Sequence, residues 1–300
     1  MRARRGLVLA ALLVAAACAP PTSRPGEARF VVGEPYAMGG VWSYPREDHA
    51  LSESGLAVVL PDTRRGRRTA NGEVHDPAAL VAAHRTLQLP AVLSVWNLGT
   101  GREVRVRVND RGPAERGRVI GLSRRAAELL GVVPGRPARV RIAADPALSR
   151  AVSEGLPGSE GPRLAVAAAP VASVEREQLA PLSGTRSGGR GRPDPAGTVS
   201  VSTDAFGPAR RAPPLERLPE EVAQRGAVQA SLVVDAGTFF RRDLAERRAT
   251  SVGGVVDGSG AGRGTMYRVR LGPFTTVEGA DRALDTALGR GIPDAKIVLE

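Results

Sequence analysis

The chain has 300 residues and carries 42 Lys or Arg against 31 Asp or Glu, a formal net charge of +11. Its 36 glycines and 24 prolines exclude one uninterrupted core over that length, so two small domains joined by a linker are expected. The basic balance favours anionic partners; the arginines are spread along the chain and match no nucleic-acid motif, which leaves envelope polymers rather than nucleic acid as the expected partner.

The N-terminus speaks to compartment. Arg2, Arg4 and Arg5 precede an apolar run at 7–17 that is too short to span a bilayer comfortably. Ala15, Ala16 and Ala17 then lead to Cys18, the layout of a lipobox. The Cys18 thiol would take a diacylglyceryl group and become the mature N-terminus. The alternative is an ordinary signal peptide cut near Ala17. Cys18 is the single cysteine, so it has no internal disulfide partner. Two or three acyl chains would give a stable anchor, at roughly 0.8 kcal/mol per buried methylene. Ala19 after the cysteine favours outer-membrane sorting. Residues 1–17 thus read as a leader and 18–28 as a Pro-rich tether.

Residues 29–145 show short strand-like runs at 55–60, 91–97, 103–109 and 138–143. Alternation is clearest in Val104-Arg105-Val106-Arg107-Val108, the pattern of a half-buried strand. A helix is expected at 123–130, with Ser123 as N-cap and Gly131 as its stop. Many short strands with few helices predict a small barrel. Residues 146–225, rich in Pro, Gly, Ser, Ala and Arg without a sustained period, read as a disordered linker. About 80 such residues would span roughly 50 Å on average.

Pattern returns at 226–300 with a weak internal repeat. Val234-Asp235-Ala236-Gly237-Thr238-Phe239 parallels Val269-Arg270-Leu271-Gly272-Pro273-Phe274, and each Phe is followed six residues later by an alanine, Ala245 and Ala280, in a helical stretch. With a last strand at 295–299 this predicts a βαββαβ sandwich of one sheet and two helices, an α+β unit beside the mainly β first domain.

Three stretches carry the strongest signal: Thr69-Ala70-Asn71-Gly72-Glu73, Ala82-Ala83-His84-Arg85-Thr86-Leu87 and Val108-Asn109-Asp110-Arg111-Gly112-Pro113. In order and spacing they resemble the signature stretches of the rare lipoprotein A family, and the upstream 32–48 segment resembles that family's leader. The resemblance covers roughly residues 30–143. It implies a six-stranded double-psi β-barrel with a groove for peptidoglycan glycan strands. It also implies a lytic transglycosylase, which cleaves the MurNAc–GlcNAc bond without water and leaves a 1,6-anhydro end. No cofactor is implied. That chemistry needs a proton donor and a base, and a carboxyl kept protonated near neutrality needs surroundings that penalise its charge.

Asp110 and Glu73 are the candidate carboxyls, with His84 as a third catalytic candidate and Asn109 and Arg111 as candidate substrate-binding residues. Each has a plainer alternative: an Asx-turn cap for Asp110, a solvated turn charge for Glu73, a backbone-satisfied core histidine for His84, and a turn brace for Arg111. His49, His75 and His84 suit no common zinc spacing, so no metal is expected. Two departures from the family pattern stand out. An early Ser-Trp-Tyr-Gly stretch is replaced here by Gly55-Leu56-Ala57-Val58-Val59-Leu60-Pro61, and an Asp before Leu-Ser is replaced by Gly121. They keep open a non-catalytic glycan-binding lipoprotein as the alternative function.

The C-terminal repeat and Tyr267-Arg268-Val269-Arg270-Leu271-Gly272-Pro273-Phe274 resemble SPOR domains over about 228–300. That resemblance implies binding to peptide-free strands at the division septum, with division-site proteins as further partners. Tyr267, Arg268 and Arg270 are the candidate binding residues, and Arg suits sugar hydroxyls and the lactyl carboxylate of MurNAc.

Overall fold

A computed structural model describes residues 27–159, 217–260 and 265–300. The leader, Cys18 and residues 160–216 of the expected linker lie outside the described residues.

The first strands, β1 (Tyr36–Met38) and β2 (Val41–Ser43), form a small antiparallel hairpin. The barrel follows with β3 (Ser52–Val59), β4 (Val81–Ala83), β5 (Ala91–Asn97), β6 (Arg102–Asp110), β7 (Arg118–Leu122) and β8 (Ala138–Ala144). These six close on themselves in the order β4-β7-β3-β8-β5-β6, because β4 also pairs with β6. The sheet is mixed: β3–β7 and β4–β6 run parallel and the other pairs antiparallel. Closure removes the free sheet edges except at the start of β6, which β4 does not reach. Leu93, Val95, Val106, Val108, Ile120, Leu122 and Ile142 fill the interior and are wholly buried.

The helix after β7 forms as expected. In α1 (Arg124–Leu130), Ser123 Oγ accepts the Ala126 N–H at 3.2 Å, and Gly131 ends the helix at φ 73°, where other residues are strained. Beyond residue 145 the structure corrects the expected boundary. Asp145 and Pro146 start a second helix, α2 (Pro146–Ser153), the Asp145 carboxylate accepting the Leu148 N–H at 3.0 Å. Ser149 Oγ accepts the Val92 N–H at 2.9 Å and fastens the helix to β5. Likewise β9 (Val222–Gln224) pairs with the start of β6. Both segments lie inside the expected 146–225 linker. Their order comes from a cap and from barrel edges that a local reading of composition does not register.

The C-terminal segment has the expected βαββαβ order: β10 (Leu232–Phe239), α3 (Arg242–Val252), β11 (Val255–Ser259), β12 (Met266–Phe274), α4 (Val277–Gly289) and β13 (Lys296–Leu299). The strands form an antiparallel sheet in the order β11-β12-β10-β13. Ala245 and Ala280, the repeated alanines, are fully buried between sheet and helices. Barrel residues Leu56 and Leu98 join this second core, and Arg118 holds Asp281 with two hydrogen bonds of 2.7 and 2.9 Å.

Candidate active site

The end of β6 carries the site. Strand alternation along β6 is visible up to Val106; from Arg107 to Asp110 both faces are buried. The cause is β4, which runs parallel beside that half of the strand and places Ala83 opposite Asp110. The next residue, His84, donates its backbone N–H to the Asp110 carbonyl at 3.0 Å. Two of the three catalytic candidates are therefore neighbours on adjacent strand ends. The third arrives on the turn at 69–73, where Thr69 and Glu73 close a backbone pair at 2.8 Å.

Asp110 is only 5% exposed. Its Oδ1 accepts the Ala70 N–H at 3.0 Å and the Arg111 N–H at 2.8 Å, and its Oδ2 is ion-paired with Arg64. The Arg111 bond is a local turn bond and the Ala70 bond is a tertiary one, so one carboxyl is both a turn cap and a tether to the 69–73 turn. Arg64, in a 3-10 turn at Asp62–Arg64, was not among the sequence candidates. Nothing distinguishes it in a run that reads Arg64-Arg65-Gly66-Arg67-Arg68.

Glu73 is held differently. Arg107 donates Nε and Nη2 to Oε1 at 3.0 and 2.7 Å, Asn71 Nδ2 reaches the same oxygen at 2.8 Å, and Asn109 Nδ2 reaches Oε2 at 2.8 Å. Burial by itself would raise the Glu73 pKa; the Arg107 charge and the two amides outweigh it and hold the carboxyl below its usual range. Glu73 is thus a fixed anion and neither a proton donor nor a free turn charge. Asn109, expected to touch substrate, is instead buried and spends its amide on Glu73.

His84 is buried, and burial followed by the charges of Arg111 and Arg85 pushes its pKa down to about 3. Nδ1 accepts the N–H groups of Thr86 and Leu87 at 3.3 and 3.2 Å. The ring is therefore neutral at working pH with its proton on Nε2, a hydrogen-bond donor rather than a titrating acid. The Arg111 guanidinium donates to the Leu87 and Val32 carbonyls, the bracing arrangement, and burial lowers its pKa. His75 is buried beside this cluster, with neither ring nitrogen hydrogen-bonded, and its pKa is lowered by burial and then by Arg64. Among the described residues no group of three or more His, Cys, Asp or Glu could hold a metal ion.

In the C-terminal sheet, alternation separates the three candidates. Tyr267 packs against the helix-side core with Val269, whereas Arg268 and Arg270 lie on the opposite face. Arg268 stands 3.7 Å from Asp235, and Arg270 is ion-paired with Asp257 and Glu300. Tyr267 therefore does not share a surface with the two arginines, because strand neighbours point to opposite sides.

Comparison with known proteins agrees with this geometry. A family model described as lytic transglycolase matches residues 60–142. An endolytic peptidoglycan transglycosylase RlpA from Yersinia pestis is 32% identical over 281 residues, covering 81% of this chain and 78% of the relative. The protein of the same name from Pseudomonas aeruginosa strain PAO1 is 30% identical over 267 residues, 85% of this chain and 73% of the relative. A probable endolytic peptidoglycan transglycosylase RlpA from Treponema pallidum is 32% identical over 263 residues, 76% of this chain and 81% of the relative.

Proposed function

Since this chain belongs to the rare lipoprotein A family of endolytic peptidoglycan transglycosylases, we propose that Asp110 is the group through which its barrel moves the reaction's proton. Lytic cleavage breaks the bond between MurNAc C1 and the oxygen it shares with the next GlcNAc, and closes MurNAc O6 onto C1. The proton that leaves O6 is the one the departing oxygen needs, so a single carboxyl placed between the two oxygens completes the balance without water. His84 Nε2–H, on the neighbouring strand end, supplies a neutral hydrogen bond to the oxygen on which charge develops. Glu73, fixed as an anion by Arg107, Asn71 and Asn109, is a positioning residue: it locks the 69–73 turn whose Ala70 N–H holds Asp110.

The observation that carries this reading is the backbone adjacency of Asp110 and His84 at the paired strand ends of a closed barrel. The substrate class is the glycan strand of peptidoglycan in the cell envelope. A preference for peptide-free strands, septal action with division-site proteins, and a SPOR role for the C-terminal sheet through Arg268 and Arg270 are supported by the C-terminal motif. Outer-membrane attachment through an acylated Cys18 is supported by the lipobox.

Digestion of purified peptide-free strands by the full chain, with products read by mass spectrometry, tests the proposal. Anhydro-ended products that disappear in Asp110→Asn are expected. Cleavage retained in Asp110→Asn would remove Asp110 from the chemistry. Binding without cleavage by the unaltered chain would replace the enzyme by a glycan-holding lipoprotein.

A further inference from the structure

The chain has only ten aromatic residues other than histidine: two Trp, three Tyr and five Phe. Two of them, Trp42 and Tyr44, stand 58% and 62% exposed on and just after β2. Burying such rings is ordinarily favourable, so two large rings left in water beside one another call for a partner. Their support is rigid. Tyr36 Oη donates to the Arg85 carbonyl at 2.8 Å, Arg85 Nη1 donates to the Met38 carbonyl at 3.2 Å, and Arg116 Nε donates to the Gly39 carbonyl at 2.9 Å. The hairpin is thereby clamped to the loop that follows His84 and to the segment before β7.

Trp42 and Tyr44 line a groove of about 560 Å³ that also contains His84, Arg85, Arg46 and Arg116. Of the residues gathered around Asp110, His84 lines this groove. The groove carries the carboxylates Glu53, Asp235 and Asp294 on its far wall, and it combines exposed ring faces with guanidinium groups, Arg46 the most open of them. That pairing fits a sugar polymer with acidic substituents: the C–H face of a pyranose packs on an aromatic ring, and a carboxylate is met by arginine. A glycan strand bearing lactyl carboxylates has both features.

We propose that Trp42 and Tyr44 form a sugar-stacking subsite for the glycan strand on the His84 side of the cleavage point, with the exposed Arg46 facing its lactyl carboxylates while Arg85 and Arg116 brace the hairpin. This rests on the reading of Asp110 and His84 as the reacting centre. It also accounts for the aliphatic stretch at 55–61: Leu56, Ala57, Val58 and Leu60 are buried in the wall, and the hairpin supplies the aromatic surface in their place.

The test uses the full chain and the emission of Trp42, since Trp96 is the only other tryptophan. Two probes are titrated: a GlcNAc tetramer, which has no MurNAc bond to cleave, and purified peptide-free glycan strands. The expected result is a saturable change in indole emission with both, tighter for the strands, and lost in Trp42→Phe. Trp42→Ala and Tyr44→Ala should each raise KM for strand cleavage about tenfold, with kcat within about twofold. Both positions are exposed, and unchanged circular dichroism would verify the fold. Strand cleavage with no emission change at saturation overturns the subsite and leaves the catalytic reading intact. An emission change with no cleavage supports the subsite and overturns the catalytic reading. Equal KM in wild type and both alanine variants overturns the subsite.

Discussion

Leu60 occupies the space that any side chain at Gly121 would need: a Cβ there would lie 2.6 Å from Leu60 Cδ2 and 3.5 Å from Pro113 Cβ. Leu60, just past the end of β3, thus fills the space beside Gly121 on β7.

That contact predicts coupling. Gly121→Ala should destabilise the barrel by about 1–3 kcal/mol through overpacking. Leu60→Ala should cost about 2–5 kcal/mol by opening a cavity. The double variant should be more stable than the sum of the two implies, by at least about 0.5 kcal/mol. Urea unfolding of the four proteins measures this, and strict additivity would refute the shared volume.

Arg107 and Glu73 form a buried charge pair whose loss should be asymmetric. Arg107→Met strands the Glu73 anion and should cost about 3–5 kcal/mol, whereas Arg107→Met with Glu73→Gln should recover most of that loss. Chemical denaturation of both variants decides it. A double variant no more stable than Arg107→Met would mean that the charge is not the cause.

Glu73 also shapes stability against pH. Its folded pKa is lowered from the ordinary value of 4.5, so its contribution is present above that value and is lost as pH falls through the folded pKa. Glu73→Gln should flatten this part of the acid limb between about pH 4.5 and the onset of acid unfolding. Parallel profiles for wild type and variant would contradict a lowered Glu73 pKa.

His84 acts on a higher window. With a folded pKa of about 3 against an ordinary value of 6.5, the unfolded chain binds a proton between those values and the folded chain does not. Stability therefore falls as pH drops from about 6.5 towards 3, with a limiting slope of about 1.4 kcal/mol per pH unit from this residue. His84→Asn should remove that slope. The same neutrality predicts that no activity titration near pH 6.5 belongs to His84; a limb there that vanishes in His84→Asn would overturn its role as a neutral donor.

Arg64 fixes the second oxygen of Asp110 and is itself partly exposed. Arg64→Ala should lower kcat for strand cleavage by about tenfold, because the Asp110 carboxyl loses one of its orienting contacts. Unfolding free energy should fall by about 1–3 kcal/mol, because the buried Asp110 carboxyl loses a charge-assisted partner. An unchanged kcat would make the pair incidental to the chemistry.

Local signals carried far in this chain. The alternation at 103–109, the Ser123 and Gly131 helix signals and the repeat around Phe239 and Phe274 each depend on residues close in sequence, and all form as their spacing dictates. The three motif stretches also placed Asp110, Glu73 and His84 at one site, although they did not say which residue does what. Those distinctions belong to tertiary structure. Arg107 reads as a solvent-facing residue of an alternating strand until β4 covers that face and turns it into the partner of Glu73. Arg111 reads in sequence either as a substrate-binding residue or as a turn brace, and only the folded chain brings the Leu87 and Val32 carbonyls to its guanidinium. Short strands such as Val81–Ala83 and Arg118–Leu122 have little period of their own and exist because the barrel must close. Sequence periodicity records the local preference of each strand, whereas the charge state and duty of a buried group are set by donors that arrive from distant parts of the chain.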